Sequence, residues 1–428
     1  MFFLTTGEKV KNLRKKLGMR QQELEDKNMS RAFISMVENG KRGLGKENAR
    51  SIAEKLNNKA SKLGFNLNIN EEYLLRTPKE DAEFYCSEKL NNNPTIDEID
   101  VILKIANDYN LIKIKAESYK ILGDYAFEIN DYKKALIKYM ISIDLYKDIG
   151  DYSLLPYLYN KIGVCKLNLL ENTMNDLLYR EAIFSFKRAN YYAENLNDLE
   201  SEKYSLYNIA KIYKILNEWE KALEFIEKYS ILCSKNNDKK GCIDAAILKA
   251  SCYSKKGNKE KAISLYEELI KNLTNDEEIL WVIYNNLGII YTQENNFDKG
   301  KEFFNKAENI VKGKNIKKLA ETFIEKSVIY IKQMLYEDAL YFIKEGIKLS
   351  LEINYMPLVI KGYYMLIDIY SLLNDFINVR NTYINLSNLI KNKEEYKNDI
   401  IKIYSNLALL YLKRNDIEMC KKYLSIIS

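Results

Sequence analysis

Residues 208–229 read NIAKIYKILNEWEKALEFIEKY, and the spacing inside this stretch recurs along most of the chain. The small residue Ala210 is followed three positions later by Tyr213, and nine positions after that by a second small residue, Ala222. Small residues let two antiparallel helices approach closely, and the aromatic side chain fills the space beside them. The Asn-Glu pair at 217–218 is a turn signal between the two helices. The stretch therefore predicts a helical hairpin.

Eight copies of this pattern lie between residues 116 and 428, about 40 residues apart. The small, aromatic and small positions of the clear copies are Ala210-Tyr213-Ala222, Ala250-Tyr253-Ala262, Gly288-Tyr291-Gly300, Ser327-Tyr330-Ala339 and Ala408-Tyr411-Cys420. The weaker copies are Gly123-Ala126-Ala135, Ile367-Tyr370-Val379, and Gly163 with Ala182, which has extra residues between its helices. A large residue follows four positions after each closing residue: Tyr139, Phe186, Ile226, Tyr266, Phe304, Ile343, Tyr383 and Leu424. Turn signals fall at 130–131, 217–218, 257–258, 295–296, 374–375 and 415–416.

This unit resembles the tetratricopeptide repeat, which is ordinarily ~34 residues long, with longer helices or loops. The proline that usually ends such a repeat is missing, so a looser helical repeat stays open as the alternative. Either repeat predicts an all-α chain in which the hairpins stack into a right-handed α-solenoid with a concave inner face.

The concave face of such a solenoid binds an extended peptide or a helix, and the first helix of each hairpin lines it. Three repeats place asparagine in one register there: Asn208, Asn286 and Asn406. Because an amide both donates and accepts hydrogen bonds, this ladder is a candidate holder of a peptide backbone. Candidate sequence-selecting residues are Asn285, Asn160, Lys161, Lys211, Glu325 and Asp368. Asparagine is abundant in the chain, so a chance register is the competing interpretation, and the tyrosines are assigned to the core.

Composition excludes most catalytic chemistry. The chain of 428 residues contains no histidine, which removes Ser-His-Asp and Cys-His catalysis and histidine-ligated metals. Its 6 cysteines form no C-x-x-C pair, and no glycine-rich phosphate loop or metal-spaced cluster occurs. We expect a protein that is not an enzyme and binds no cofactor or metal.

Positive charge is concentrated at the N-terminal end. Residues 1–64 contain 15 Lys and Arg against 7 Asp and Glu, and the remaining residues are nearly neutral. A basic head on a neutral body is typical of a nucleic-acid reader joined to a second function. A merely solvated basic helix is the competing interpretation.

The basic head has the pattern of a helix-turn-helix. A first helix is predicted over 6–18, a second from Arg20 to about 27–28, and a third over 31–38 with Ser30 as its N-cap. A fourth follows over 46–56. The four segments predict a compact helical domain of 1–64.

The runs GMRQQEL (18–24) and SRAFISMVENGKR (30–42) resemble the phage-repressor or Xre class of helix-turn-helix domains. The resemblance implies that Gln21 contacts a phosphate and that the third helix enters the major groove of double-stranded DNA. It assigns the base-reading and loop contacts, with Ser30 at the start of the helix, to Ser30, Arg31, Ala32, Ser35, Met36, Asn39, Lys41 and Arg42. The sequence departs from the class at Glu25, where a small residue is usual, and in a turn that is one residue short.

Residues 65–115 are expected to be a helical linker, with helices over 79–90 and 95–109. The N-terminal residues lack the basic segment of a signal peptide, and no apolar run is long enough to span a membrane, so we expect a cytoplasmic protein. The last repeat is followed by no polar capping helix, and a second copy of the chain is the expected cover. We therefore expect a homodimer.

A helix-turn-helix head joined to tetratricopeptide-like repeats resembles the RRNPP family of peptide-responsive regulators, and most of all its clostridial RstA-type members. The resemblance implies a quorum-sensing transcriptional regulator: a short signalling peptide binds the repeats and alters the dimer and its hold on operator DNA. It also implies control of sporulation or toxin expression. The alternative is a repeat protein that regulates a sporulation phosphorelay component, with DNA binding secondary.

Overall fold

The computed structural model describes residues 2–169, 176–272, 276–393 and 396–427. Within these ranges the backbone is helical, with short turns and loops and an isolated β-bridge between Asp26 and Met29. The expected all-α fold, a helix-turn-helix head followed by helical repeats, is confirmed. The chain divides into two compact units, Met1–Asn168 with Tyr191–Asp198, and Leu169–Asn190 with Leu199–Ser428.

The head consists of three helices, α1 (Thr6–Lys16), α2 (Arg31–Glu38) and α3 (Lys46–Lys62). Ser30 caps α2 as predicted, because its side-chain oxygen accepts a hydrogen bond from the Phe33 N–H at 3.3 Å. The three helices share one apolar core, whose buried members include Val10, Leu24, Met29, Ile34, Ile52 and Leu56. Burial of these residues fixes α2 on the other two helices.

The predicted second helix of the head is wrong. Between α1 and α2 the chain makes a single 3-10 turn, Gln21–Leu24. The Asp26 carboxylate accepts hydrogen bonds from the Asn28 N–H at 2.9 Å and from the Ser51 hydroxyl at 2.6 Å. Such side-chain bonds compete with helical backbone bonds, so the helix ends before Asp26.

The segment 65–115 contains α4 (Glu71–Leu75), α5 (Pro78–Asn91) and α6 (Ile96–Asp108). The last two agree with the predicted helices. Both start in a capping box, formed by Thr77 with Glu80 and by Thr95 with Glu98. The short α4 has no counterpart in the prediction, and the boundaries of the three expected domains stay predictions.

Within the described residues eight successive pairs of helices follow, in agreement with the eight predicted copies. In chain order they are α7 (Ile112–Glu128) with α8 (Tyr132–Asp148), α9 (Leu155–Asn168) with α10 (Asp176–Leu196), α11 (Leu199–Ile215) with α12 (Trp219–Lys235), α13 (Lys239–Lys255) with α14 (Lys259–Asn272), α15 (Glu277–Gln293) with α16 (Phe297–Val311), α17 (Ile316–Lys332) with α18 (Tyr336–Glu352), α19 (Met356–Leu372) with α20 (Phe376–Ile390), and α21 (Lys397–Leu412) with α22 (Ile417–Ile427).

The small residues of the pattern lie where the two helices of a hairpin touch. A β-carbon added at Gly288 would lie 2.9 Å from the ring of Phe304, which lies on the partner helix. Gly123 has the same relation to Tyr139, at 2.6 Å. The first small residue and the large residue after the closing position are therefore packing partners, and the small residue leaves room for the ring.

In most of the hairpins, the turn between the two helices contains an asparagine with a left-handed backbone conformation. Asn130, Asn217, Asn295, Asn374 and Asn415 all have φ between 54° and 61°. The next residue usually caps the second helix by accepting a backbone hydrogen bond, as do Asp131, Asn258, Asn296, Asp375 and Asp416. These two local devices explain why the turns can be located in the sequence.

Two details of the repeat prediction need correction or restriction. Leu424, expected to pack in the last copy, is 45% exposed. The preceding Tyr423 is buried instead, and its ring lies 5.6 Å from that of Tyr411. The extra residues between α9 and α10 include 170–175, which lie outside the described residues.

Candidate functional site

A buried ion pair holds α2 against α1. The Glu38 carboxylate, 4% exposed, accepts two hydrogen bonds from the Arg14 guanidinium, at 2.5 and 2.9 Å. The Gln21 amide donates a third, at 2.8 Å. Burial opposes ionisation of Glu38, but the hydrogen bonds from Arg14 and Gln21 outweigh it, so the pKa of Glu38 is lowered. This pair fixes the orientation of the helix that carries the predicted base-reading residues.

Gln21 is accordingly half-buried, and its amide nitrogen is bound to Glu38. The predicted contact of Gln21 with a phosphate stays a prediction. A phosphate contact through this nitrogen would require the hydrogen bond to Glu38 to be shared or broken.

One face of α2 is open to solvent. Ser30, Arg31 and Ala32 are exposed, while Ser35 and Met36 are half-buried. The positions between these residues on the other face of α2, Ile34 and Val37, are buried. Among the described residues no carboxylate pairs with Arg31. The guanidinium is therefore available to an external acceptor, as a guanine contact requires.

The loop after α2 is ordered by contacts with the helix itself. The Asn39 amide donates to the Ser35 carbonyl at 2.8 Å. The Arg42 guanidinium lies 5.0 Å from the centre of the Phe33 ring, a cation–π contact. Lys41 is exposed. The structure thus places the predicted loop residues beside the exposed face of α2.

The head is attached to α5 through a buried lysine that sequence reasoning missed. Lys9, 2% exposed, pairs with the Asp81 carboxylate and donates to the carbonyls of Tyr73 at 2.8 Å and Arg76 at 2.7 Å. Arg76 also pairs with Asp81, at 2.7 Å. The N-terminal arm adds Phe3, whose N–H donates to the Tyr109 hydroxyl at 3.1 Å. The sequence signal that could have revealed this attachment is a lysine at a position of α1 that faces the core.

A cavity of about 580 Å³ lies on the first helices of three consecutive hairpins, α11, α13 and α15. Two of the predicted peptide-binding residues line it, Lys211 and Asn286. Its other lining residues are Tyr207, Lys214, Ile215, Lys240, Asp244, Ile247, Leu248, Ser251, Asp276, Glu278, Ile279 and Val282. The lining combines apolar side chains with charged and polar ones, and the volume lies within the ~300–1,000 Å³ range of ligand sites.

The asparagine ladder does not converge on this cavity. Asn208 is buried, and its amide donates to the Tyr204 carbonyl of its own helix at 2.8 Å. The side chain of Asn406 lies next to that of Tyr383. Only Asn286 of the three lines the cavity, because the shared register does not give the three amides the same neighbours.

The remaining predicted residues are dispersed. Asn160 and Lys161 lie on α9 in the first unit, where Lys161 stacks on Phe127 at 4.1 Å. Glu325 pairs with Lys361, and Asp368 is exposed. Asn285 is half-buried, and among the described residues its side-chain oxygen has no hydrogen-bond partner. None of these five lines the cavity on α11, α13 and α15, and their assignment to a peptide stays a prediction.

Lys214 is one of the cavity residues that sequence reasoning missed. It lies three positions after Lys211 on α11, so the two side chains share one face of the helix. That spacing was the available signal. The pair makes one end of the cavity basic.

The described residues were compared with the requirements of a metal site, a membrane span and a reactive thiol. They contain no group of three His, Cys, Asp or Glu that could hold a metal ion. None of their helices has the length and hydropathy needed to cross a membrane. Burial raises the pKa of the Cys86 and Cys252 thiols to about 11, so both stay protonated near neutral pH.

Comparison with known proteins supports both halves of the fold. Residues 10–63 match the family model described as "Helix-turn-helix", which agrees with the expectation that the chain is not an enzyme. Residues 197–398 match the model of the soluble NSF attachment protein, SNAP, family. No curated protein matches the chain.

Several solved structures are similar over most of the chain. The apo form of RapI is 12% identical with a TM-score of 0.50, covering 82% of this chain and 96% of that chain. The apo form of the quorum sensor NprR from B. thuringiensis is 20% identical with a TM-score of 0.49, covering 82% and 98%. A Rap protein complexed with Competence and Sporulation Factor is 14% identical with a TM-score of 0.48, covering 82% and 97%. The chain therefore carries an N-terminal helix-turn-helix domain followed by helical repeats with the fold of RapI.

Proposed function

We propose that the chain is a cytoplasmic transcriptional regulator of the RRNPP type, which reads DNA through α2 and binds a short signalling peptide on its repeats. The observation that carries the proposal is the combination of two features in one chain. A helix-turn-helix head presents an unpaired Arg31 on an exposed helix face. The repeat unit contains an open, partly apolar cavity on the first helices of its hairpins.

In this proposal Arg31 reads a guanine by a bidentate contact, and Ala32 and Met36 contact thymine methyl groups. Ser30, Ser35 and Asn39 approach the groove edge, and Lys41 and Arg42 contact phosphates, which adds affinity without sequence information. A homodimer places two such heads on half-sites ~34 Å apart. Peptide binding changes the arrangement of the dimer and so its match to the operator. Coupling of this kind is worth ~1–3 kcal/mol, or a 5–150-fold change in DNA affinity.

The biological role that fits this mechanism is quorum sensing, and the resemblance to the clostridial RstA-type regulators extends the proposal to control of sporulation and toxin expression. The resemblance of the basic head and the repeats to that family supports this role.

Sequence-specific reading is tested by fluorescence anisotropy with the full chain on the duplex upstream of its own gene and on a scrambled duplex. Wild type is expected to prefer the upstream duplex, and Arg31→Ala to lose ~1–3 kcal/mol of that preference. Lys41→Ala is expected to weaken binding to both duplexes alike and to reduce the salt slope by ~1. Lys62→Ala, which removes an exposed lysine of α3, is the matched control and should bind as wild type.

Equal, weak binding to both duplexes that disappears at higher salt would contradict the proposal. The alternative, regulation of a sporulation phosphorelay component, then makes its own prediction. Under it, Arg31→Ala retains full activity in cells, whereas a DNA-reading regulator loses it.

A further inference from the structure

We propose that Lys211 and Lys214 form a carboxylate-binding end of the cavity on α11, α13 and α15, and that the peptide ligand places a carboxylate there. This inference rests on the proposed peptide-binding function and adds the chemistry by which one end of the ligand is recognised. The cavity is otherwise lined by apolar side chains, the Asn286 amide, Lys240 and three carboxylates, and the two lysines are the charged groups that α11 contributes.

The two lysines lie at one edge of the cavity. Lys211 and Lys214 belong to the last turns of α11, together with the apolar residue Ile215. Across the cavity, α13 contributes Ser251, whose hydroxyl oxygen accepts a hydrogen bond from the Lys214 ammonium at 3.1 Å. The Lys211 ammonium lies 5.3 Å from the centre of the Tyr207 ring. Both ammonium groups are thus held at the cavity wall by weak, uncharged partners.

No carboxylate neutralises this edge within the part of the chain that the structure describes. Lys214 is half-buried, and its charged neighbours are Lys211 and Lys255, which have the same sign. Burial, reinforced by these two lysines, lowers the pKa of Lys214. A desolvated ammonium with like charges around it is costly, and an external anion relieves that cost.

The carboxylates that line the cavity, Asp244, Asp276 and Glu278, lie at its opposite edge, toward the N-terminal ends of α13 and α15. There the N-terminal turn of α15 carries Glu278, which pairs with Lys318 at 2.7 Å. On α13, burial raises the pKa of Asp244, and the nearby Lys240 opposes this shift by stabilising the charged carboxylate. Lys211 and Lys214, near the C-terminal end of α11, therefore have no carboxylate partner among the described residues that line the cavity.

A carboxylate fits this edge better than a neutral polar group. Its two oxygens accept hydrogen bonds from both ammonium groups at once, and charge-assisted bonds of this kind are the strong ones. Ile247 and Leu248 lie in the same cavity, so the residue that carries the carboxylate also meets an apolar surface. Both the C-terminus of a peptide and the side chain of Asp or Glu supply such a group.

The test is affinity selection with the full-length protein and three pools of synthetic hexapeptides. The first pool lacks Asp and Glu and has free C-termini, the second is the same pool with C-terminal amides, and the third is amidated and contains one Asp or Glu per peptide. Retained peptide is quantified by mass spectrometry. Wild type is expected to retain the first or the third pool about tenfold more than the second. Which of the two is retained identifies the source of the carboxylate.

Lys214→Met and Lys211→Met are expected to abolish that preference. Lys235→Met, which removes an exposed lysine of α12 that does not line the cavity, is expected to keep it. Because Lys214→Met removes an uncompensated buried charge, its melting temperature should equal or exceed that of wild type, which separates loss of the site from loss of the fold.

Equal retention of all three pools overturns the carboxylate site and leaves peptide binding intact. A preference that survives Lys214→Met also overturns it. Retention of none of the pools overturns the proposed peptide-binding function together with this inference.

Discussion

At the scale of single residues, the hairpin turn between α17 and α18 departs from the rest of the array. Met334 has φ of 58°, where the other hairpin turns that the structure describes have asparagine or glycine, and Leu335 offers no side-chain cap to α18. A left-handed conformation costs a residue other than Gly, Asn or Asp roughly 1–2 kcal/mol. Met334→Asn should therefore raise the free energy of unfolding by ~1 kcal/mol, measured as a higher urea midpoint at an unchanged m-value. The reverse change at an ordinary turn, Asn374→Met, should lower it by a similar amount, and equal midpoints for all three proteins would contradict the argument.

At the scale of elements, α1 and α2 approach so closely that their contact tolerates only glycine. A β-carbon at Gly7 would lie 2.1 Å from the carbonyl oxygen of Val37, a backbone atom that cannot rotate away. Gly7→Ala should push α2 off α1, destabilise the head by roughly 1–3 kcal/mol, and weaken DNA binding. Thermal unfolding and anisotropy measure the two effects. Gly43→Ala is the control, because nothing lies within 4 Å of a β-carbon there and its φ is not left-handed. A wild-type melting temperature for Gly7→Ala would show that the two helices can separate at no cost.

The attachment of α1 to α5 depends on the buried Lys9. Lys9→Met leaves the Tyr73 and Arg76 carbonyls without their donor and Asp81 with Arg76 as its remaining cation. Breaking a buried pair costs about 3–5 kcal/mol, so the head should unfold at a clearly lower urea concentration than in wild type. Lys16→Met changes an exposed lysine of the same helix and should leave the transition unchanged. If Lys9→Met and Lys16→Met unfold at the same urea concentration, the Lys9 network makes no net contribution to the stability of the head.

At the scale of the whole molecule, the expected homodimer needs an apolar surface, and the last hairpin offers one. Large apolar side chains that are at least 40% exposed on α21 and α22 are Ile401, Leu409, Leu412, Ile417, Leu424 and Ile426. If this surface joins two copies, Leu424→Asp buries a charge in the interface and should raise the dimer dissociation constant at least about tenfold. Sedimentation equilibrium measures it. Ile231→Asp on α12 alters an equally exposed residue elsewhere and should leave the constant unchanged. A wild-type chain that sediments as a monomer would remove the dimer from the proposed mechanism.

Local signals account for what could be predicted of this protein. The number of hairpins, their turns and the cap of α2 follow from contacts between residues close in sequence: Gly288 with Phe304, Asn374 in a left-handed turn, Ser30 with Phe33. The basic head was visible as charge and motif. The prediction of a second helix in the head failed, because the hydrogen bonds that the Asp26 carboxylate accepts from the Asn28 N–H and the Ser51 hydroxyl outweighed helix propensity.

Contacts between helices far apart in sequence settled the rest. A common register placed Asn208, Asn286 and Asn406 on equivalent helices, yet Asn208 bonds its own helix, Asn406 meets Tyr383, and Asn286 alone lines the cavity. The partners of Lys9 and Lys214 were likewise hidden, since they lie on other helices. Periodicity shows which residues share a helix face, whereas the packing of one helix on another determines which side chains are paired and which remain open to a ligand.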